Sequence, residues 1–148
     1  MNNITAKTPW KDCMGDVPMH LDYFEGSMFD KVADIARQYP DTPFLSIHLN
    51  QFPQTRYTGA QVFYGNSGQL LAASLQDCLR TILDPTNERV CKPAPEGVFL
   101  MKNIAAPAVT IECGFLSNPE ECRLLQQNDY QTKIALAITG GYQRYNRG

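Results

Sequence analysis

Val109-Thr-Ile-Glu-Cys-Gly-Phe-Leu-Ser-Asn-Pro-Glu-Glu121 is the stretch of this 148-residue chain that decides its fold. Its apolar, β-rich beginning predicts a buried strand that delivers a single carboxylate, Glu112, and then turns at Gly114. A helix should follow, because Asn118 can cap it and Pro119 suits its first position. A lone acid at the end of a buried strand is costly to desolvate unless its charge is used. We therefore expect a strand–turn–helix unit with Glu112 as a functional residue.

A second residue able to do chemistry, His48, lies at the end of the apolar run Phe44-Leu-Ser-Ile-His-Leu-Asn50. In open α/β sheets, ligands bind beyond the carboxyl ends of the strands, so His48 and Glu112 can face one crevice. Histidine binds a divalent metal through a ring nitrogen, and a nearby carboxylate can move a proton from metal-bound water. These residue types favour a metal-assisted hydrolytic site. The alternative is a hydrogen-bonded core histidine and an unrelated acid.

Strand and helix patterns alternate along the rest of the chain. Helices are predicted from Ser27 to Tyr39, after Asn66-Ser-Gly68 up to Asp84, and from Tyr130 to Gly140-Gly141; short strands are predicted at 43–47, 60–64, 98–101 and 107–111. This order predicts an α/β domain of three layers, with a mostly parallel, twisted sheet flanked by helices.

Composition excludes several partners. The net charge of −2 and the absence of any Lys/Arg run argue against a nucleic-acid partner held by bulk electrostatics. No apolar stretch approaches the ~20 residues of a membrane span, and the N-terminus carries no apolar signal-peptide region.

The five cysteines show no metal-binding or disulfide spacing and are expected to be reduced. Cys113 should point away from the face that Glu112 occupies, which argues against a catalytic cysteine.

Three segments in succession resemble motifs of the zinc-dependent N-acetylmuramoyl-L-alanine amidases: Ser46-Ile-His-Leu-Asn50, Thr58-Gly-Ala-Gln-Val-Phe-Tyr64 and Glu112-Cys-Gly-Phe-Leu-Ser-Asn-Pro-Glu120. The last of these, with Leu100-Met-Lys-Asn103 before it, looks most like the germination-specific cortex amidases of spore formers. The resemblance runs from about Asp30 to the C-terminus, which gives a divergent N-terminal segment at 1–29 and a catalytic domain at 30–148.

The resemblance implies a peptidoglycan hydrolase that uses Zn²⁺ to cleave the amide between N-acetylmuramic acid and L-alanine. It implies that His48 is a zinc ligand and that Glu112 is the catalytic residue, acting first as base and then as acid. It also implies an extracellular, cell-wall location, since peptidoglycan is the substrate. Gly114 and Asn118 match motif positions for which we favour structural roles, a turn and a helix cap, while Asn50 either orients the site or bonds its own loop.

The sequence also departs from that family. The family's opening strand with its G-H-G-G segment, which supplies the first zinc ligand, is not recognised before Asp30, so the domain looks incomplete. His20 and Glu25 are weak candidates for the other ligands, in an order that fits and a spacing that does not. We expect a truncated reading frame or a fragment of an amidase. The alternative function is a catalytically inactive remnant acting at most as a peptidoglycan-binding or regulatory module.

Overall fold

The computed structural model describes residues 28–148, so His20 and Glu25 lie outside the described residues. The elements in chain order are α1 (Met28–Gln38), β1 (Phe44–Asn50), β2 (Gln61–Tyr64), α2 (Gln69–Leu83), β3 (Lys92–Pro93), α3 (Phe99–Asn103), β4 (Ala108–Phe115), α4 (Pro119–Leu125) and α5 (Asn128–Asn146). This alternation confirms the predicted α/β class. The strands at 44–50 and 108–115 are both longer than predicted, and both contain their candidate functional residue rather than ending before it.

The four described strands form one sheet in the order β1-β4-β2-β3. β1 runs parallel to β4 and β2 runs parallel to β3, while β2 and β4 are antiparallel. The carboxyl ends of β1 and β4 therefore meet at one edge of the sheet. Because β2 runs the opposite way, its first residues lie at that same edge. This topology gathers residues from three strands at one place.

Helices cover both faces of the sheet. The larger cluster packs α2 and α5 against one face, with the fully buried side chains Leu71, Leu75 and Leu79 lying on Val109 and Ile111. Each such leucine contributes roughly 2 kcal/mol relative to an exposed one. A smaller cluster on the other side joins α3 to part of α1. The three-layer arrangement predicted from the sequence is present.

The predicted helix end at Gly140-Gly141 is wrong, because α5 continues through both glycines to Asn146. Gly141 is buried at the crossing of α5 with α2, where an added Cβ would lie 2.8 Å from the Cα of Leu75. The Ser74 hydroxyl donates to the Gly141 carbonyl across the same contact, at 2.8 Å. The glycine thus permits close approach of two helices instead of ending one.

The predicted strand at 98–101 is also wrong: these residues lead into α3 (Phe99–Asn103). An apolar run of four residues has no periodicity that distinguishes strand from helix. The side-chain amide of Asn103 donates to the Phe99 carbonyl, four residues back, at 2.8 Å. On its inner side α3 buries Met101, whose carbonyl lies too close to Gly65 for any larger residue there.

Two helices leave large apolar side chains partly exposed. On α1, Phe29 and Ile35 are about half exposed, and Ala33 is the buried residue of this helix. On α2, Ile82 is 40% exposed although it continues the stripe of buried leucines. A short helix that contacts the domain through alanines leaves its larger side chains at the surface.

Candidate active site

His48, Glu112 and Gln61 form a row across three neighbouring strands. In the sheet register His48 is paired with Glu112 on one side, and Gln61 is paired with Glu112 on the other. Side chains of directly paired residues lie on the same face with their Cβ atoms ~5 Å apart. The structure therefore brings together the two residues singled out in the sequence, and adds a third, Gln61, on the neighbouring strand β2.

Glu112 is the central residue of this row. Its Oε2 atom is buried and has no hydrogen-bond partner among the described residues. Burial raises the pKa of the Glu112 carboxyl, and the nearby His48 opposes that rise without cancelling it. A buried acceptor without a donor is uncommon in folded proteins and is a recurrent feature of functional sites. The arrangement leaves one carboxylate oxygen available to take up a proton.

His48 is exposed on β1, the strand at one end of the described strand order. Its Nε2 atom lies 2.8 Å from the hydroxyl of Ser46, two residues back and on the same face of the strand. Within residues 28–148 no group of three or more His, Cys, Asp or Glu side chains is arranged to hold a metal ion. The described site offers one imidazole and one carboxylate.

Gln61 was not recognised from the sequence as a site residue. It is 4% exposed, and both ends of its amide are engaged: Nε2 donates to the Val90 carbonyl at 2.9 Å and Oε1 accepts from Arg89 Nη1 at 2.8 Å. Neither side-chain hydrogen bond of Gln61 goes to Glu112, although the two residues are paired in the sheet. The sequence signal for Gln61 was that it is a polar residue in the otherwise apolar predicted strand at 60–64.

Glu121 organises the backbone around the site. Its two carboxylate oxygens accept from the backbone N–H groups of Gly59 and Phe115, both at 2.7 Å. This side chain therefore ties the segment before β2 to the end of β4. Asn118 caps α4 as predicted, accepting from two backbone N–H groups of its first turn, and its own amide donates to the Thr55 carbonyl at 2.8 Å.

Cys113 follows Glu112 on β4, and Asn50 ends β1 two residues after His48. Cys113 is 2% exposed within the opposite core, and burial raises the pKa of its thiol to about 12, so it is not a nucleophile near neutral pH. The backbone carbonyl of Asn50 accepts a hydrogen bond from the backbone N–H of Leu116 at 2.8 Å. That bond holds the turn after β4 against the end of β1.

Fold and site together define the class of protein: a three-layer α/β domain in which an imidazole lies beside a carboxylate, one oxygen of which is buried without a hydrogen-bond partner among residues 28–148. The family follows from direct comparison. The family model described as N-acetylmuramoyl-L-alanine amidase matches residues 20–144, and the chain belongs to this family.

Individual relatives agree with that assignment. The chain is 40% identical over 105 residues to the germination-specific N-acetylmuramoyl-L-alanine amidase of Bacillus subtilis (strain 168), a match over 69% of this chain and 44% of the relative. The structure of the CwlD amidase from Clostridioides difficile in complex with the GerS lipoprotein superposes with a TM-score of 0.73 at 39% identity, covering 82% of this chain and 66% of that one. The amidase AmiC2 of Nostoc punctiforme shares the fold, with a TM-score of 0.74 at 24% identity over 84% of this chain and 68% of that one.

The chain spans less than half the length of its curated Bacillus relative. No helix among residues 28–148 is long and apolar enough to cross a lipid bilayer.

Proposed function

We propose that this chain is a peptidoglycan hydrolase that cleaves the amide between N-acetylmuramic acid and L-alanine. The observation that carries the proposal is the pairing of His48 with Glu112, whose buried Oε2 has no partner among the described residues, in a member of the amidase family. Water attack on an amide needs a base for the water and an acid for the leaving amine. One carboxylate with an available oxygen serves both steps in turn.

Glu112 takes a proton from the attacking water through Oε2 and then delivers it to the amine of L-alanine. Because the carboxyl is partly desolvated, its protonated form costs less than that of an exposed glutamate, which suits a group that must hold the proton between two steps. The amide of Gln61 is engaged at both ends by residues 89 and 90, so it joins β2 to the connection before β3 and does not compete for Glu112. The positions of both residues depend on the register of β2 against β4.

We propose Zn²⁺ as the cofactor, with His48 as one ligand. Imidazole is a common zinc ligand, and a carboxylate next to it is the partner that such sites need. When bound, zinc polarises the amide carbonyl and makes water a stronger nucleophile. A catalytic zinc site takes three protein ligands, so the other two would come from outside the described residues, where His20 and Glu25 are candidates.

The likeness to the Bacillus relative supports a role in spore germination and action at the cell wall, outside the cell. The rival function, an inactive remnant that acts at most as a peptidoglycan-binding or regulatory module, is not favoured. A binding module has no need of a buried carboxylate without a donor, whose desolvation lowers stability.

The test is hydrolysis of purified muramyl peptides by the chain with one equivalent of added Zn²⁺. We expect new free amino groups on L-alanine and new lactyl carboxyl groups on the muramic acid. We expect bound zinc to fall well below one equivalent in His48→Ala, while Ser46→Ala, which removes the neighbouring hydroxyl and keeps the imidazole, retains it. Zinc-loaded protein that releases neither group would refute the proposed activity.

A further inference from the structure

A cavity of about 460 Å³ adjoins the site row at Gln61. Its lining includes Thr58, Gln61, Asn87, Arg89 and Lys92. Gln61 belongs both to this cavity and to the row with Glu112, so the cavity begins one strand away from the reacting carboxylate. Because Gln61 is the shared residue, the cavity lies next to the row of His48, Glu112 and Gln61.

Arg89 is the cation that the structure holds most firmly in this cavity. Its Nε donates to the Thr58 carbonyl at 2.6 Å and its Nη1 donates to Gln61 Oε1 at 2.8 Å. The guanidinium carbon lies 4.8 Å from the centroid of the Phe115 ring. These three contacts fix the plane of the guanidinium, so little side-chain entropy remains to be lost when a ligand binds.

No carboxylate of the described residues pairs with Arg89. The ion pairs of Arg37, Arg80 and Arg144 do not include Arg89, and both hydrogen bonds of the Arg89 guanidinium go to uncharged oxygens. Two acids also line the cavity, and one of them, Asp84, is already engaged with the backbone and hydroxyl of Thr86. The other, Glu88, is exposed and makes no ion pair with the guanidinium. A fixed, half-buried guanidinium with a donor to spare is suited to an anion, above all a carboxylate.

We propose that Arg89 binds a carboxylate on the peptide stem of the substrate, and that the cavity receives this stem. The inference rests on the proposed amidase function. In that substrate the carboxyl group of the muramic acid is itself consumed in the scissile amide, so an anionic group must come from the peptide side. Recognition by Arg89 therefore orients the substrate, with the sugar on the His48 side and the peptide on the Gln61 side.

The spacing is consistent with this orientation. One strand spacing, ~4.8 Å, separates Glu112 from Gln61, and Arg89 bonds to the far end of the Gln61 side chain. An extended peptide advances ~3.5 Å per residue, so one or two residues beyond L-alanine reach the guanidinium. Arg89 is in this account a specificity residue that contacts the stem and takes no part in proton transfer.

The test compares two ligands in equilibrium binding: N-acetylmuramoyl-L-alanyl-D-glutamate, and the same compound with both carboxyl groups converted to amides. Calorimetry with a chelator present keeps hydrolysis out of the measurement. We expect the wild-type chain to bind the acid at least tenfold more tightly than the diamide, as expected for one charge-assisted hydrogen bond. Arg89→Gln should lower the affinity for the acid to that for the diamide and leave the affinity for the diamide within threefold.

Arg89→Lys keeps the positive charge but loses the planar guanidinium with its paired N–H donors, so it should retain only part of the preference for the acid over the diamide. This variant remains informative if Arg89→Gln does not fold. Arg80→Gln, which removes the same charge from α2, is the matched control and should keep the full preference. A wild-type chain without preference for the acid, or a preference that survives Arg89→Gln, would overturn the proposal. Amide hydrolysis is measured separately, so failure of the amidase function is distinguishable from failure of this binding role.

Discussion

Gly141→Ala tests the close approach of α5 to α2, on which the larger core cluster depends. The new methyl group would lie 2.8 Å from the Cα and 3.0 Å from the Cδ2 of Leu75. The Cα belongs to the backbone of α2 and cannot turn aside, so the overpacking cost should fall in the upper part of the usual ~1–3 kcal/mol. Alanine regains ~1 kcal/mol of helix propensity over glycine, which leaves a net loss of ~1–2 kcal/mol in the free energy of unfolding.

The neighbouring Gly140 provides the matched control, because a Cβ added there meets no atom within 4 Å. Gly140→Ala should therefore raise the free energy of unfolding by ~0.5–1 kcal/mol through helix propensity alone. Urea unfolding followed by circular dichroism measures both variants, and the difference between them should be ~1.5–3 kcal/mol. Equal stability of the two variants would show that α5 does not pack against α2 as described.

Three further predictions concern the site and its support. Glu121→Gln leaves one oxygen for the two backbone N–H groups of Gly59 and Phe115. It should therefore lower the free energy of unfolding by ~1–3 kcal/mol in urea titrations. A loss near zero would show that these two hydrogen bonds do not stabilise the fold. Asn118→Ala should cost ~1–2 kcal/mol, measured in the same way, because the cap of α4 is lost, and an unchanged midpoint would argue against that cap. Burial raises the pKa of the Glu112 carboxyl, so this carboxyl binds a proton more tightly in the folded state than in the unfolded state. The free energy of unfolding should therefore fall as pH rises from 4.5 through the folded-state pKa of Glu112. With a chelator present, Glu112→Gln should thus be more stable than wild type at pH 7, with the gain shrinking towards pH 4; a gain that grows on acidification would contradict the burial.

Much of the fold could be predicted because local signals agreed with the tertiary structure. The cap at Asn118, the helix that ends at Asp84 and the strand that leads to Glu112 each appear where the pattern indicated. The errors arose where packing decided the outcome. Gly140-Gly141 has the composition of a helix end, but the partner helix gives the second glycine a packing role within α5.

The site was predicted in part for a similar reason. His48 and Glu112 were found because each is a lone chemical group in an apolar strand, and parallel pairing of β1 and β4 places them side by side. Gln61 and Arg89 were missed because their positions depend on β2 running antiparallel to β4. No periodicity in the sequence indicates the direction of a four-residue strand, and Arg89 reaches the site from a connection without regular structure.

The central claim, that Glu112 moves the proton in amide hydrolysis, is tested most directly by the turnover of muramyl peptides by zinc-loaded Glu112→Gln. The matched control is Glu120→Gln, which makes the same change on the exposed first turn of α4. We predict that Glu112→Gln binds zinc as the wild type does and loses ~10²–10⁴-fold in kcat, while Glu120→Gln stays within twofold of the wild type. Turnover by Glu112→Gln within tenfold of the wild type would contradict the account.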